Sequence, residues 1–204
     1  MYSKYGKRLL DVIVASSGLL LSAPLLLALL PPLYVVNGGS IFFRQQRPGL
    51  HGKLFYLYKL QTMTNACTAK GQLLPDAQRL TRLGRWLRRL SIDELPQLYN
   101  VLRGDLSLVG PRPLLPQYLS LYSPEQAQRH CVQPGITGLA QVQGRNMLSW
   151  EQKFYYDLWY TENVTLKTDL RILLKTLKIV CNGYGIHTPG HATAPEFTGS
   201  GIEV

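Results

Sequence analysis

Residues 12–36 read VIVASSGLLLSAPLLLALLPPLYVV. This uncharged run is the strongest indication of how the chain folds. It is longer than the ~20 apolar residues that a membrane-spanning helix needs. Pro24 interrupts it in the middle and Pro31-Pro32 near its end, and a proline inside a helix lacks a backbone donor and crowds the turn before it. Residues 12–23 alone would reach only about 18 Å as a helix, short of a ~30 Å hydrocarbon core. The run therefore predicts a membrane helix that is broken at Pro24 and returns to the side from which it came.

Basic residues flank the apolar run on both sides: Lys4, Lys7 and Arg8 precede it, and Arg44 and Arg47 follow it. Because the cytoplasmic segments of membrane proteins carry an excess of lysine and arginine, both ends are predicted on the cytoplasmic side. The geometry is then that of a re-entrant helix. Two alternatives stay open, a kinked single span and a signal peptide, although the chain lacks a small-x-small cleavage site followed by a polar start.

The length and composition of the chain indicate one core and an anionic partner. The 204 residues suit one ordinary domain. Lysine and arginine number 22 against 12 acidic residues, so the partner should be nucleic acid, acidic lipid or a phosphorylated substrate. Cys67, Cys131 and Cys181 lie far apart and form no C-x-x-C pair, which indicates neither a disulfide framework nor a zinc site. A reducing, cytosol-facing location fits this cysteine usage.

A β-hairpin is predicted directly after the membrane segment. Residues 40–47 are rich in strand formers, residues 48–52 have turn chemistry, and residues 54–63 form a second strand that carries Lys59. The polar residues 64–76 include Gly71 and Pro75 and are predicted to form a loop. The cytosolic body therefore begins with a small antiparallel sheet.

Three helices with apolar and basic faces are predicted to lie at the membrane surface. Leucines recur at helical spacing from Leu80 to Leu90 among arginines. Ser149 and Gln152 make a capping box for a helix through the aromatic residues 154–160, and a further amphipathic helix covers residues 168–181. The first of these helices would also suit nucleic acid phosphates, but the adjacent membrane segment favours lipid.

The last part of the chain, residues 184–204, is rich in Gly, Pro, Thr and His and has no hydrophobic period, so a loop or partly disordered arm is predicted. His187 and His191 sit four apart, but Pro189 and Gly190 between them argue against a shared helix face and thus against a metal site. The chain is accordingly divided into a membrane segment (1–37), a cytosolic catalytic domain (38–183) and a tail (184–204).

Two adjacent acids, Asp93 and Glu94, lie in the block Ser91-Ile92-Asp93-Glu94-Leu95-Pro96. A purely structural interpretation is available, because Ser91 and Glu94 make a capping box and acids in a first turn complement the helix dipole. Pro96 conflicts with a cap at Ser91 and would suit a cap at Asp93 instead. A catalytic interpretation gains from Gly and Pro turns that present single arginines, a pattern suited to holding phosphates. The segments concerned are residues 104–113, 134–138 and 144–146, with Arg88 one turn before the acids.

Taken in order, these motifs resemble those of the monotopic phosphoglycosyl transferases, a family of bacterial sugar transferases. The similarity is greatest to the small members that transfer bacillosamine phosphate in protein glycosylation, and it covers nearly the whole chain. It rests on residues 7–11 (KRLLD), 47–49 (RPG), 58–59 (YK), 93–94 (DE), 109–113 (VGPRP), 134–138 (PGITG), 144–146 (GRN) and 190–191 (GH). One departure is that Ala23 separates Ser22 from Pro24, where the family places Ser directly before the proline.

The resemblance implies an α/β fold with a re-entrant membrane helix broken at Pro24, a small β-hairpin and a helical cytosolic body with interfacial amphipathic helices. It implies a place at the bacterial inner membrane, with the catalytic body on the cytoplasmic face beside anionic lipid and with no nucleic acid partner. The implied reaction transfers a phosphosugar from a UDP-sugar to undecaprenyl phosphate and releases UMP, the first membrane step of glycoconjugate or glycoprotein assembly. An N-acetylated, bacillosamine-like donor is expected.

The resemblance also implies roles for individual residues. Asp93 attacks the β-phosphorus of the donor and carries the phosphosugar; a polyprenyl phosphate is already ionised at neutral pH, so a carboxylate is better used as nucleophile than as general base. Consecutive helix residues point about 100° apart, so Glu94 is expected to hold Mg²⁺ rather than to share a proton with Asp93. The remaining candidates are expected to bind the substrate or support the site: Lys59, Arg88, Arg112, Arg145, Asp157 and Asp169.

Two other classes of function stay open. A membrane-surface binding protein, in which Asp93 and Glu94 only cap a helix and the basic face holds acidic lipid, would release no UMP. A basic nucleic-acid binder would show strongly salt-dependent affinity and would not need the apolar run. Release of UMP separates the enzyme from both.

Overall fold

The computed structural model describes residues 2–144, 147–182 and 196–199, which form a helical body with two small sheets. The helices are α1 (Lys7–Val36), α2 (Asp76–Arg79), α3 (Arg82–Arg89), α4 (Gln97–Arg103), α5 (Pro124–Ala127), α6 (Leu139–Gln143), α7 (Trp150–Glu162) and α8 (Leu166–Asn182). The strands are β1 (Phe42–Pro48), β2 (Leu54–Leu60), β3 (Ser107–Val109) and β4 (Gly135–Thr137). Shorter helical turns cover Tyr2–Gly6, Leu50–Gly52, Ile92–Glu94, Pro116–Leu121 and Gln128–Cys131. The predicted mixture of helices with a small hairpin is confirmed.

Helix α1 contains the apolar run and stays helical through Pro24, Pro31 and Pro32. The two predicted halves are therefore joined in one helix, because a proline removes a single donor from the helical ladder while the flanking hydrogen bonds persist. In the turn before Pro24, Ser22 Oγ donates a hydrogen bond to the carbonyl of Leu19 at 3.3 Å. Within the described residues, α1 is the one helix long and apolar enough to cross a membrane.

Helix α1 packs against the body towards both of its ends, and it exposes apolar side chains in between. Near the start, the Asp11 carboxylate accepts a hydrogen bond from the amide of Leu108 at 3.0 Å. Near the end, Leu33 is fully buried in an apolar cluster with side chains of β2 and α3. Between these contacts, Leu20 and Leu21 are 77% and 82% exposed. The body therefore contacts α1 towards both ends and leaves the apolar outer surface of the helix between them uncovered.

Strands β1 and β2 form the predicted antiparallel hairpin, with Phe43 opposite Lys59. The turn between them uses the left-handed conformation at His51 (φ 53°) and Gly52 (φ 75°), which a tight reversal requires. Residues 64–75, most of the predicted loop, contain no helix or regular strand. Lys59 is thus placed at the end of β2, where the chain leaves the sheet.

A second sheet, in which β3 and β4 run parallel with Ser107 opposite Gly135, lies where the sequence predicted only turns. That prediction was incomplete because strands of three residues are too short to show an alternating pattern. The backbones approach very closely here: a Cβ on Gly110 would lie 2.3 Å from the carbonyl oxygen of Gln133. Glycine is therefore required at this position, and the sheet fixes the start of the segment that carries Arg112.

The main core lies among α1, α4, β2, β3, α7 and α8. Its buried apolar members are Ala15, Leu57, Val101, Leu106, Leu108, Val109, Tyr160 and Ile172. A separate aromatic cluster joins the turn at Pro116–Leu121 to α7 through Tyr118 and Phe154, and Phe197 packs into it. These two clusters hold β3 and the residues after it between the long helices.

The three predicted amphipathic helices are present with changed bounds. Helix α3 begins at Arg82, later than predicted, because Leu80 forms an isolated bridge with Met63 before the helix starts. The capping box of Ser149 and Gln152 starts α7, as predicted. Helix α8 covers and extends the predicted range, and it leaves four leucines exposed on its surface: Leu166, Leu170, Leu174 and Leu177.

The tail predicted at residues 184–204 lies outside the described residues, except for residues 196–199, which have no regular secondary structure. His187 and His191 are among the residues outside. The division of the chain at residues 37 and 183 stays a prediction.

Candidate active site

The acidic pair lies in a tight turn between α3 and α4. Ser91 adopts a left-handed conformation (φ 55°), and the backbone then makes a 3₁₀ turn over Ile92–Glu94 before Pro96 precedes the first residue of α4. Neither predicted cap is formed: among the described residues no side chain caps this turn or α4, and the amide of Ser91 donates to the carbonyl of Arg88 at 3.2 Å. Both capping interpretations are therefore wrong, and the two carboxylates are engaged elsewhere.

Glu94 is the partner of two cations. Its Oε1 accepts a hydrogen bond from Lys59 Nζ at 2.6 Å and another from Arg112 Nη2 at 2.8 Å. Burial works to raise the pKa of Glu94, but the charges and hydrogen bonds of Arg112 and Lys59 outweigh it and lower the pKa below its usual range. Glu94 is therefore ionised at neutral pH, and it joins the end of β2 to the segment after β3.

Asp93 has the opposite electrostatic character. The residue is 7% exposed, and burial, followed by the adjacent charge of Glu94, raises the pKa of its carboxyl above the usual range. Lys59, Arg88 and Arg112 oppose this shift through their charges. Within the described residues, no donor makes a hydrogen bond to its carboxylate. Asp93 is thus a buried acid surrounded by cations but directly bonded to none.

Arg88 reaches this site from α3. Its Nε donates to Thr62 Oγ1 at 2.9 Å, which orients the guanidinium beside the residues that follow β2. The helix can approach so closely because position 84 is glycine: a Cβ on Gly84 would lie 1.9 Å from the carbonyl oxygen of Thr62. The predicted residues Lys59, Arg88, Asp93, Glu94 and Arg112 are therefore brought together by four separate segments.

Asp157 lies behind Arg112 rather than beside the acidic pair. Its Oδ2 accepts two hydrogen bonds from Arg129, at 3.1 Å from Nε and 2.5 Å from Nη2, and both residues are buried. Arg129 Nη2 also donates to the backbone carbonyl of Arg112 at 2.8 Å. The buried pair therefore supports the position of Arg112. Sequence reasoning missed Arg129, because a single arginine in a short polar stretch gives no pattern that distinguishes it.

Asp169 belongs to a different network. It accepts hydrogen bonds from Lys7 Nζ at 2.6 Å, from the Tyr2 hydroxyl at 2.6 Å and from the Tyr160 hydroxyl at 2.7 Å. These contacts join the start of the chain to α7 and α8 and are not shared with Asp93 or Glu94. Of the other candidates, Arg145 lies outside the described residues and Pro24 lies within α1.

The donor set suits a magnesium ion that is completed by substrate. Within the described residues, no three His, Cys, Asp or Glu side chains form a metal-binding cluster. Mg²⁺, however, is commonly held by one or two carboxylates together with substrate phosphates and water. Glu94 is ionised, and its Oε1 takes both cations, which leaves Oε2 for a metal. The residues present therefore fit an ion that arrives with a phosphorylated ligand.

Comparison with known proteins places the chain in a family. The sequence profile of the bacterial sugar transferases matches residues 2–183. The chain is 54% identical over 195 residues to the uncharacterized sugar transferase EpsL of Bacillus subtilis, with 96% of each chain covered. It is 44% identical to UDP-glucose:undecaprenyl-phosphate glucose-1-phosphate transferase of Caulobacter vibrioides, over 84% of this chain and 68% of that one. It is 38% identical to undecaprenyl-phosphate galactose phosphotransferase of Salmonella typhimurium, over 91% of this chain but 42% of that longer protein. The chain belongs to the bacterial sugar transferase family.

Proposed function

We propose that this protein transfers a sugar phosphate from a UDP-sugar to undecaprenyl phosphate, with Asp93 as the nucleophile. The observation that carries the proposal is the Asp93 carboxylate, which is 7% exposed, beside three cations and without a described hydrogen-bond donor. A structural carboxylate in such a place would be expected to have hydrogen-bond partners. Two relatives, from Caulobacter and Salmonella, are named as undecaprenyl-phosphate transferases of glucose and galactose phosphate, which supports the same reaction class here.

The chemistry takes place in two displacements at one phosphorus atom. A carboxylate oxygen of Asp93 attacks the β-phosphorus of the donor, the bond from that phosphorus to the bridging oxygen breaks, and UMP leaves with the electron pair. A phosphate oxygen of the carrier then attacks the same phosphorus and releases the Asp93 carboxylate. The carrier phosphate is already ionised at neutral pH, so neither step requires a general base.

The cations around Asp93 offset the repulsion between its carboxylate and the negatively charged diphosphate of the donor. Lys59, Arg88 and Arg112 all favour the ionised form of Asp93 and would stabilise the charge that develops on the departing UMP. Mg²⁺, held by Glu94 and the donor phosphates, would supply further positive charge against the same repulsion. Asp157 contributes indirectly, because its partner Arg129 holds the backbone of Arg112.

The two contacts of α1 with the body support a re-entrant placement in the membrane. In a single-span anchor, one end of the helix would lie across the bilayer from the body. Here Asp11 near the start and Leu33 near the end both contact the body, while several leucines between them, such as Leu20 and Leu21, are exposed. The exposed leucines of α8 lie among basic residues, a pattern suited to an anionic lipid surface. We therefore place the catalytic body on the cytoplasmic face of the bacterial inner membrane.

The identity of the sugar is the finer part of the proposal. The motifs favour an N-acetylated, bacillosamine-like donor, whereas the two named relatives carry glucose or galactose in their names. Discrimination between such donors depends on contacts with individual hydroxyl and amide groups. A donor panel must therefore contain UDP-bacillosamine, UDP-N-acetylglucosamine, UDP-glucose and UDP-galactose.

The proposal is tested by measuring UMP release from detergent-solubilised protein with Mg²⁺, undecaprenyl phosphate and this donor panel. We expect one donor to be preferred and UMP to disappear when EDTA is added. A folded, membrane-bound protein that releases no UMP from any donor would contradict the proposal and would favour a lipid-surface binding function instead.

A further inference from the structure

Arg47 is a partly buried cation that the reaction described above does not use. It lies near the end of β1, and its Nη2 donates a hydrogen bond to the neutral side chain of Gln45 at 2.7 Å. Within the described part of the chain, no carboxylate forms an ion pair with it. Arg112, in contrast, is paired with Glu94. A cation that is partly removed from water without a counter-ion is costly unless a ligand supplies the missing charge.

The fold holds Arg47 close to Arg112 through one short turn, Gln128–Cys131. Arg129 of this turn donates to the carbonyl of Arg112 at 2.8 Å, and the Nδ1 atom of the next residue, His130, lies 3.3 Å from the carbonyl oxygen of Gly49. Gly49 is two residues after Arg47, and Pro48 between them is fully buried. The end of β1 and the segment of Arg112 are therefore fixed to the same support.

The electrostatics agree with this geometry. Burial, and then the nearby charge of Arg112, lower the pKa of Arg47 to about 10, so that the side chain is still charged at neutral pH. Tyr118 and Tyr122 also lie near Arg47, and neither provides a carboxylate. Two guanidinium groups of like charge are thus held near each other, and Arg47 is the one without an acidic partner. Paired arginines are well suited to the oxygens of phosphate groups.

We propose that Arg47 is a phosphate-binding residue that acts with Arg112 on the phosphorylated substrates. The inference rests on the proposed function, since it extends the same site towards the end of β1. The phosphate has two possible sources, the diphosphate of the nucleotide donor and the phosphate of the polyprenyl carrier. Both present the same chemistry to a guanidinium group, and kinetics distinguish them.

The first test measures binding of inorganic pyrophosphate to the detergent-solubilised full chain by calorimetry. Replacing Arg47 with glutamine should raise the Kd about 10- to 100-fold, the effect of losing a hydrogen bond between charged groups. Arg47→Lys should lie between this variant and the wild type, because lysine keeps the charge but not the planar fork. Arg44→Gln is the matched control, since Arg44 lies on the same strand, is exposed and stacks on Tyr56 at 5.3 Å.

The second test measures KM for donor and carrier separately in the UMP-release assay. A rise in donor KM alone assigns Arg47 to the diphosphate, and a rise in carrier KM alone assigns it to the carrier phosphate. If Arg47→Gln matches Arg44→Gln in pyrophosphate affinity and in both KM values, the inference is overturned while the proposed function stands. If pyrophosphate binding depends on Arg47 but no donor yields UMP, the phosphate site stands and the proposed function fails. Wild-type protein that neither binds pyrophosphate nor releases UMP would overturn both.

Discussion

Two buried aspartates beside arginines, Asp93 and Asp157, have very different surroundings. Asp157 is 3% exposed, and its Oδ2 is bonded twice to the buried guanidinium of Arg129. Asp93 is 7% exposed, and the charges of Lys59, Arg88 and Arg112 act on its carboxylate. Among the described residues, however, no donor makes a hydrogen bond to that carboxylate. In both, burial raises the pKa and the neighbouring cations oppose it. The contrast separates a carboxylate used to hold the structure from one left available to react.

The largest effect is expected from Asp93→Asn, which keeps the shape of the side chain but removes its nucleophilic oxygen. We expect UMP release to fall by at least about four orders of magnitude, as is usual when a covalent nucleophile is lost. The thermal midpoint should change little, because no described hydrogen bond depends on the charge. Ordinary turnover in this variant would refute the nucleophile assignment.

Asp157→Asn is expected to reduce stability more than chemistry, because it leaves Arg129 buried without a charged partner. We expect the free energy of unfolding to fall by about 3–5 kcal/mol, the usual cost of breaking a buried ion pair. Chemical denaturation followed by circular dichroism measures this change. Glu125→Gln on α5 is the control, since Glu125 is exposed. If Asp157→Asn abolished turnover at unchanged stability, the distinction between the two aspartates would fail.

A smaller effect is expected from Glu94→Gln. This change removes the charge that Lys59 and Arg112 share and weakens the site for Mg²⁺. The Mg²⁺ concentration for half-maximal UMP release should rise at least about 10-fold, since even outer-shell changes at metal sites cost this much. An unchanged Mg²⁺ dependence would show that Glu94 holds no metal.

The smallest effect is a shift in pH dependence. Asp93 reacts when ionised, so activity should be present above the pKa of its carboxyl and be lost as the pH falls through it. Arg88 lowers this pKa by its charge, so Arg88→Gln should move the acid limb of the kcat/KM profile to higher pH by about one unit. Arg85→Gln, on the same helix but exposed, should leave the limb in place. A shift in the opposite direction would contradict the assignment of Asp93.

Much of the fold could be predicted from local pattern. The helix in the apolar run, the hairpin that carries Lys59 and the capping box at Ser149 are each signalled by neighbouring residues, and all three are confirmed. The helix nevertheless continues through Pro24, where the sequence predicted a break. The parallel pair β3 and β4 was missed, because strands of three residues that meet over a long sequence separation leave no periodic signal. The predicted caps at Ser91 and Asp93 were wrong, since a left-handed residue and long-range ion pairs override the local preference.

In the site, too, residues within motifs could be predicted from the sequence, whereas roles that depend on long-range contacts could not. The motifs indicated Lys59, Arg88, Asp93, Glu94 and Arg112, which the fold brings together. They could not distinguish Asp157, behind Arg112, from Asp169, whose bond to Lys7 belongs to another part of the molecule. Nor could they indicate Arg129, because its importance depends on contacts with residues that are distant in sequence.

The most direct test of the central claim is intact-protein mass spectrometry after incubation with Mg²⁺ and the preferred UDP-sugar in the absence of carrier. We expect a mass increase equal to one phosphosugar, mapped to the peptide that contains Asp93, released by undecaprenyl phosphate and absent in Asp93→Asn. UMP release that depends strictly on carrier, with no adduct under any quench condition and normal turnover in Asp93→Asn, would contradict the account.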